Sequence, residues 1–146
     1  MDEKEVRVTH SPLETQQFFV EFAKNLKPGD VVGFRGELGA GKTTAIQAIL
    51  SSFSVEGGES PTFVMVKPYP LSKPQNGLAT IVHVDAYRLK NAKDAETTGL
   101  TDVLGDPESI ILVEWADRIA PLLPAQTIQV VLRHKGKDAR EIEVTR

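Results

Sequence analysis

The chain has 146 residues, 40% hydrophobic, 25% charged and 6% aromatic, an ordinary globular composition that argues against wholesale disorder and leaves room for one core rather than two. Its 17 lysines and arginines against 20 aspartates and glutamates give a net charge of −3, which excludes a basic sheath gripping nucleic acid by counterion release. Cysteine is absent and the three histidines, His10, His83 and His134, are scattered, so neither a disulfide framework nor a zinc constellation is built here.

The start, Met1-Asp2-Glu3-Lys4-Glu5, is charged and lacks the apolar stretch of a leader peptide. No apolar run approaches the ~20 residues that span a bilayer. The expectation is a cytoplasmic protein without membrane contact, with one domain over 1–146. Ser11-Pro12-Leu13-Glu14 reads as a helix start: Ser11 caps, Pro12 suits the first helical position, and Glu14 stands where a capping box needs it. Phe19, Phe22, Ala23 and Leu26 follow at helical spacing, and Pro28-Gly29 stops the helix. Val31-Val32-Gly33-Phe34 is a short strand, a glycine-rich loop comes next, and Ala45, Ile46, Ile49 and Leu50 restore helical periodicity before Gly57-Gly58.

Thr62 to Val66 reads as a strand, and Pro68, Pro70, Pro74, Asn76 and Gly77 mark a surface loop. Ala79 to Val84 is a buried strand ending at Asp85, and Ser109 to Val113 is the most apolar strand, ending at Glu114. Between them, Lys90 to Pro107 is polar and weakly helical, with Gly99 and Gly105 as breaks. A short helix is expected over Ala116 to Leu123. Alternation at Ile128, Val130, Leu132 and again at Ile142, Val144, around Lys135-Gly136-Lys137-Asp138, predicts a hairpin. The fold class is α/β: a P-loop NTPase-like domain with a mostly parallel central sheet, flanking helices, and the C-terminal hairpin as antiparallel strands at an edge.

Gly36-Glu37-Leu38-Gly39-Ala40-Gly41-Lys42-Thr43 matches G-x-x-x-x-G-K-[ST] at every defined position, directly after a predicted strand and opening a predicted helix. In that context the backbone from Glu37 through Leu38, Gly39, Ala40, Gly41 and Lys42 to Thr43 and Thr44 turns amides toward phosphate oxygens. The helix start adds its positive dipole end. Lys42 reaches the β- and γ-phosphates, and the Thr43 hydroxyl ligates Mg²⁺. Such a site needs carboxylates, and Asp85 and Glu114 close two apolar strands. In an open α/β sheet, ligands gather beyond the carboxyl ends of the strands, which would bring both acids to the P-loop. Which one serves the metal and which orients water stays open at this level.

A guanine-reading Asn-Lys-x-Asp is missing, since Asn91-Ala92-Lys93-Asp94 carries its lysine one place late; ATP is the expected nucleotide. Arg35, Arg88 and Arg118 are arginine-finger candidates by type alone. Without such a group in cis, hydrolysis by the isolated chain should be slow, because it contributes ~10³–10⁵ in rate. Read without further context, His83 is a satisfied, half-buried strand imidazole, Trp115 packs at a strand end, and Tyr87-Arg88 forms a structural clamp.

The P-loop Gly-Glu-Leu-Gly-Ala-Gly-Lys-Thr-Thr (36–44), Ser60-Pro61-Thr62-Phe63, His83-Val84-Asp85-Ala86-Tyr87-Arg88 and Glu114-Trp115 together resemble the TsaE (YjeE) family in order and spacing. The resemblance implies a bacterial ATPase required for threonylcarbamoyladenosine (t6A) modification of tRNA at position 37. It would act with the TsaB–TsaD complex and meet tRNA indirectly through it. Carried over by position, Lys42 and Thr43 serve phosphate and Mg²⁺, and Asp85 and Glu114 are the functional acids, with catalytic and metal roles. Trp115 is a functional neighbour of Glu114, and Thr62 lies in a loop near the nucleotide. The alternatives are a small-molecule kinase, which needs an acceptor pocket and a basic lid, and a nucleotide-dependent binding module that does not hydrolyse.

Overall fold

The computed structural model describes residues 3–37, 39–55, 66–87, 89, 93 and 99–146. Seven strands form one sheet: β1 (Lys4–Thr9), β2 (Val31–Gly36), β3 (Val66–Gln75), β4 (Leu78–Asp85), β5 (Ser109–Glu114), β6 (Ile128–His134) and β7 (Arg140–Thr145). Their order is β1-β7-β6-β2-β5-β4-β3. The centre, β6-β2-β5-β4, is parallel, and β7, β1 and β3 run antiparallel to their neighbours.

Every residue of β5 is buried, as a central parallel strand covered on both faces requires. Its alternation sorts the core. Ile110 and Leu112 pack with Phe19, Phe22, Ile46 and Ile49 of helices α1 (Pro12–Ala23) and α2 (Lys42–Ser52). Ile111 and Val113 pack on the other face with Leu100 and Leu104 of the short helix α3 (Leu100–Leu104) and with Ile119 of the 3₁₀ segment Ala116–Leu122. Gly33 is where β2 and that segment touch: a Cβ there would lie 2.9 Å from the Ala116 Cβ. Among the described residues no helix is long and apolar enough to cross a membrane.

Several sequence expectations meet their elements. Ser11 caps α1, its Oγ accepting from the Glu14 amide at 3.1 Å, while Glu14 reaches one residue further back than a capping box, accepting from the His10 amide at 2.9 Å. Gly99 and Gly105 flank α3. Others are corrected. Residues 66–75 form strand β3 rather than a loop, because prolines are tolerated at a sheet edge, where no second neighbour needs their missing N–H. Pro68 pairs with Val82 and Pro70 with Thr80. Asn76 and Gly77, both with positive φ (49° and 87°), make the tight turn into β4. Of the strand expected from Thr62, only Val66 lies within the described residues.

The C-terminal hairpin is not at the edge. β6 pairs in parallel with β2, and the edge beyond β7 is taken by β1, whose exposed Val6 and Val8 alternate among charges. The helix expected over Ala116 to Leu123 is 3₁₀, begun by a left-handed Trp115 (φ 58°, ψ 42°) and kinked at Ile119 (φ −125°, ψ 23°), with Pro121 inside it.

Candidate functional site

Parallel alignment brings the carboxyl ends of β2, β4 and β5 to one rim, with Phe34 in register with Glu114 and Asp85 in register with Glu114. β2 hands over to the P-loop at Gly36, which only glycine can occupy: φ is 153°, and a Cβ would meet the Leu132 carbonyl oxygen at 2.5 Å. Helix α2 then starts at Lys42 from a left-handed Gly41, with no side chain capping its first amides. Those amides and the helix dipole are free to serve an anion.

Around this helix start lies a cleft of about 370 Å³ lined by Gly39, Gly41, Lys42, Thr43, Thr44, Asp85, Tyr87, Glu114, Trp115 and Arg140. Its charged walls are largely withdrawn from solvent, Lys42 being 6% and Glu114 3% exposed. The Lys42 ammonium donates to the Gly36 carbonyl and, at 3.4 Å, to the Glu37 carbonyl. It also sits 3.4 Å from the centre of the Trp115 ring, a cation–π contact. Burial holds the Lys42 pKa below its ordinary value, opposed by the charges of Glu114, Asp117 and Asp85.

Glu114 is held at both oxygens. Thr43 Oγ1 donates to Oε1 at 3.3 Å, and His83 Nε2 lies 3.1 Å from Oε2. Asp85 accepts the Tyr87 amide at 2.9 Å. Its pKa is raised, first by burial and then by the Glu114 charge, against the pull of the Tyr87 amide, His83 and Lys42. A hydroxyl beside a carboxylate, with a second carboxylate one strand over, is the hard-oxygen donor set that suits Mg²⁺ shared with phosphate and water. Among the described residues no three His, Asp or Glu side chains form an all-protein metal cage.

The expected residues Lys42, Thr43, Asp85, Glu114 and Trp115 therefore meet at one cleft with Gly39, Gly41 and Thr44. Ala40 is buried beneath it, and Glu37 is exposed, contributing its carbonyl. Leu38, Thr62 with its neighbours Ser60, Pro61 and Phe63, and Arg88 lie outside the described residues. Arg35 points elsewhere, lining a small cavity with Asp117, Leu123 and Gln129. Arg118 stacks near Tyr87 and Trp115 and donates to the Leu89 carbonyl at 3.3 Å.

Two residues were not legible as site residues. His83 is fully buried and bound to Glu114, and its Nδ1 has no hydrogen-bond partner among the described residues; it is not the satisfied, half-buried imidazole expected. Arg140 opens β7, 101 positions from Gly39, yet its guanidinium donates to the Gly39 carbonyl at 3.1 Å. Spacing could have hinted at His83, two residues before Asp85 on the same face of a strand. No sequence signal marks Arg140. A larger groove of about 720 Å³ between β1 and α1, lined by Arg7, Phe18, Glu21 and Arg146 among others, lies at the sheet's edge away from this chemistry.

The family model described as "TsaE: Threonylcarbamoyl adenosine biosynthesis protein TsaE" matches residues 9–142. The chain is similar to proteins named tRNA threonylcarbamoyladenosine biosynthesis protein TsaE. It is 35% identical over 138 residues to that of Bacillus subtilis (94% of this chain, 82% of the relative), and 32% identical over 137 residues to that of Aquifex aeolicus (92% of each). Among solved structures, the crystal structure of Bacillus subtilis YdiB superimposes with a TM-score of 0.73 at 30% identity, covering 99% of this chain and 86% of that one.

Proposed function

The chain belongs to the TsaE family, and on that premise we propose that it is a Mg²⁺-dependent ATPase serving threonylcarbamoyladenosine modification of tRNA. The observation that carries the reading is the convergence of Lys42, Thr43 and Glu114 at the amino end of α2. A glycine turn of purely structural origin needs neither a buried ammonium nor a carboxylate tied to the following hydroxyl.

The residues divide the work as follows. The amides of the P-loop and of the first turn of α2 hold the phosphate chain, and Lys42 donates to its β- and γ-oxygens in place of the carbonyls of Gly36 and Glu37. Thr43 and Glu114 hold Mg²⁺, which when bound neutralises charge on the transferring phosphoryl group. Asp85, one strand over and with its pKa raised by burial and by Glu114, also borders the metal and orients the attacking water. The water oxygen bonds to the γ-phosphorus, the bond to the β–γ bridging oxygen breaks, Asp85 accepts the proton, and ADP and phosphate leave. Arg140 adds positive charge where the nucleotide runs past Gly39 and Thr44.

Among the described residues Arg118 is engaged with Leu89 and the two aromatic rings, and we take turnover by the chain alone to be slow. We place its acceleration with a TsaB–TsaD type complex in the cytoplasm. The net charge of −3 fits a chain that leaves the grip on tRNA to those partners.

Purified protein with ATP and Mg²⁺ tests the reading. Phosphate release without an added acceptor supports it, ADP formation only with an acceptor indicates a kinase, and saturable binding without turnover indicates a binding module. Omitting the chain from a reconstituted modification reaction on unmodified tRNA tests the partner assignment, and full modification in its absence refutes it.

A further inference from the structure

We infer that His83 is the positioning residue of this site, fixing the Glu114 carboxylate so that Oε1 is presented to Thr43 and the metal. The inference rests on the reading that Thr43 and Glu114 hold Mg²⁺. Both His83 and Glu114 are buried, at 2% and 3% exposed, and the two carboxylate oxygens have different partners: Oε2 faces His83 Nε2 at 3.1 Å and Oε1 faces Thr43 Oγ1 at 3.3 Å. A carboxylate has several acceptor directions and a nearly free terminal torsion. Occupying Oε2 with a donor from a rigid strand removes that freedom and leaves Oε1 as the oxygen aimed at the helix start.

The tautomer follows from the same contacts. Glu114 as a carboxylate only accepts, so Nε2 carries the proton. Nδ1, on the other side of the ring, is buried without a partner among the described residues. The nitrogen that donates to Glu114 Oε2 is therefore Nε2.

Strand geometry explains how one element does two jobs. His83 and Asp85 project from the same face of β4; the first steadies the carboxylate of the neighbouring strand, while the second lines the cleft itself. A packing role alone would be better met by an apolar side chain of similar volume, which would bury no unpaired nitrogen. Retaining imidazole at that cost is what a steering role explains. Donors that orient metal-bound side chains in this way commonly change metal affinity by about 10–100-fold when removed.

The test measures ATP dissociation constants by calorimetry with Mg²⁺ and again with EDTA, for the wild type, His83→Met and His83→Gln. The ratio of the constant in EDTA to the constant with Mg²⁺ isolates the metal's contribution from any general loosening of the fold. His83→Met is expected to lower that ratio about 10-fold or more, with ATP affinity in EDTA little changed. His83→Gln restores an N–H donor near the Nε2 position and keeps the ratio within about twofold of wild type, on the same scale. A wild-type ratio in His83→Met, or an equal loss in both variants, overturns the positioning role. If wild type itself binds ATP equally well with and without Mg²⁺, the metal reading fails first and the inference with it. Nitrogen-15 NMR of the unmutated protein gives an independent check even if a variant does not fold. The Nε2–H tautomer at His83 agrees, and an Nδ1–H tautomer contradicts it.

Discussion

Two clusters of charged side chains invite comparison. At the rim of the parallel strands, His83, Glu114, Thr43, Lys42 and Asp85 meet around the start of α2. On the strands to the other side, Lys4, Glu143, Arg133, Glu141 and Lys135 form a ladder across β1, β7 and β6, with contacts of 2.5 to 3.9 Å. The ladder holds the shortest ion pair, Lys4 with Glu143 at 2.5 Å, yet its cations stand about half or more in water, Lys4 at 60% and Arg133 at 47% exposed. Solvated pairs of that kind contribute little to stability. The rim cluster makes contacts of similar length, 3.1 and 3.3 Å at Glu114, in a desolvated place, where every charge is costly unless paired. Distance alone does not separate the two; solvent does.

Substitutions should separate them in descending size. Lys42→Ala is expected to weaken ATP binding and lower turnover by about 10²–10³-fold, the scale of losing one preorganised donor to a developing oxyanion; wild-type phosphate release from that variant would erase the distinction. Glu114→Gln keeps the shape and removes the charge, so single-turnover hydrolysis should fall by about 10²-fold while ATP still binds, and an unchanged single-turnover rate would remove Glu114 from the chemistry. Trp115→Gly relieves a left-handed backbone that costs an ordinary residue about 1 kcal/mol or more but strips the indole from Lys42. Its melting temperature should change little while partner-dependent modification drops, whereas a collapse of both would return Trp115 to the core.

The smallest effect concerns pH, and its sign differs between the clusters. Asp85 has a native pKa above its ordinary 3.8, so the native state binds more protons than the unfolded one in the window above 3.8, and stability rises as pH falls through it. Asp85→Asn should therefore raise the melting temperature at neutral pH while lowering turnover. Glu143 is shifted the other way, below its ordinary 4.5, chiefly by its hydrogen bond to Lys4. Its contribution is present above pH 4.5 and lost as pH falls through the lowered value. Glu143→Gln should cost at most a few degrees at neutral pH, leave ATP hydrolysis intact, and lose even that effect in acid. Melting curves of both variants across pH check the opposition, and parallel curves would refute it.

The rim was legible in the sequence because its parts have strict local needs. A P-loop requires a strand before it, glycines within it and a helix after it, and Asp85 and Glu114 announce themselves by ending apolar runs. The rest depended on neighbours that spacing does not name. Alternation at Ile128, Val130 and Leu132 shows that one face is buried but not that β6 lies beside β2, so alternation alone puts the hairpin one position too far out. Prolines hid β3, since an edge strand tolerates what a central strand cannot, although Asn76-Gly77 was a hairpin signal. β1 was hidden because Val6 and Val8 sit among charges on a half-solvated edge. His83 and Arg140 acquire their roles only from partners 31 and 101 positions away.

The most direct test of the account is a calorimetric titration of ATP, with Mg²⁺ present, into the folded wild-type chain and into Lys42→Ala. The account predicts one saturable site per chain in the wild type and its loss or severe weakening in the variant. Absence of saturable uptake by the well-folded wild type, or equal uptake by both proteins, would contradict it.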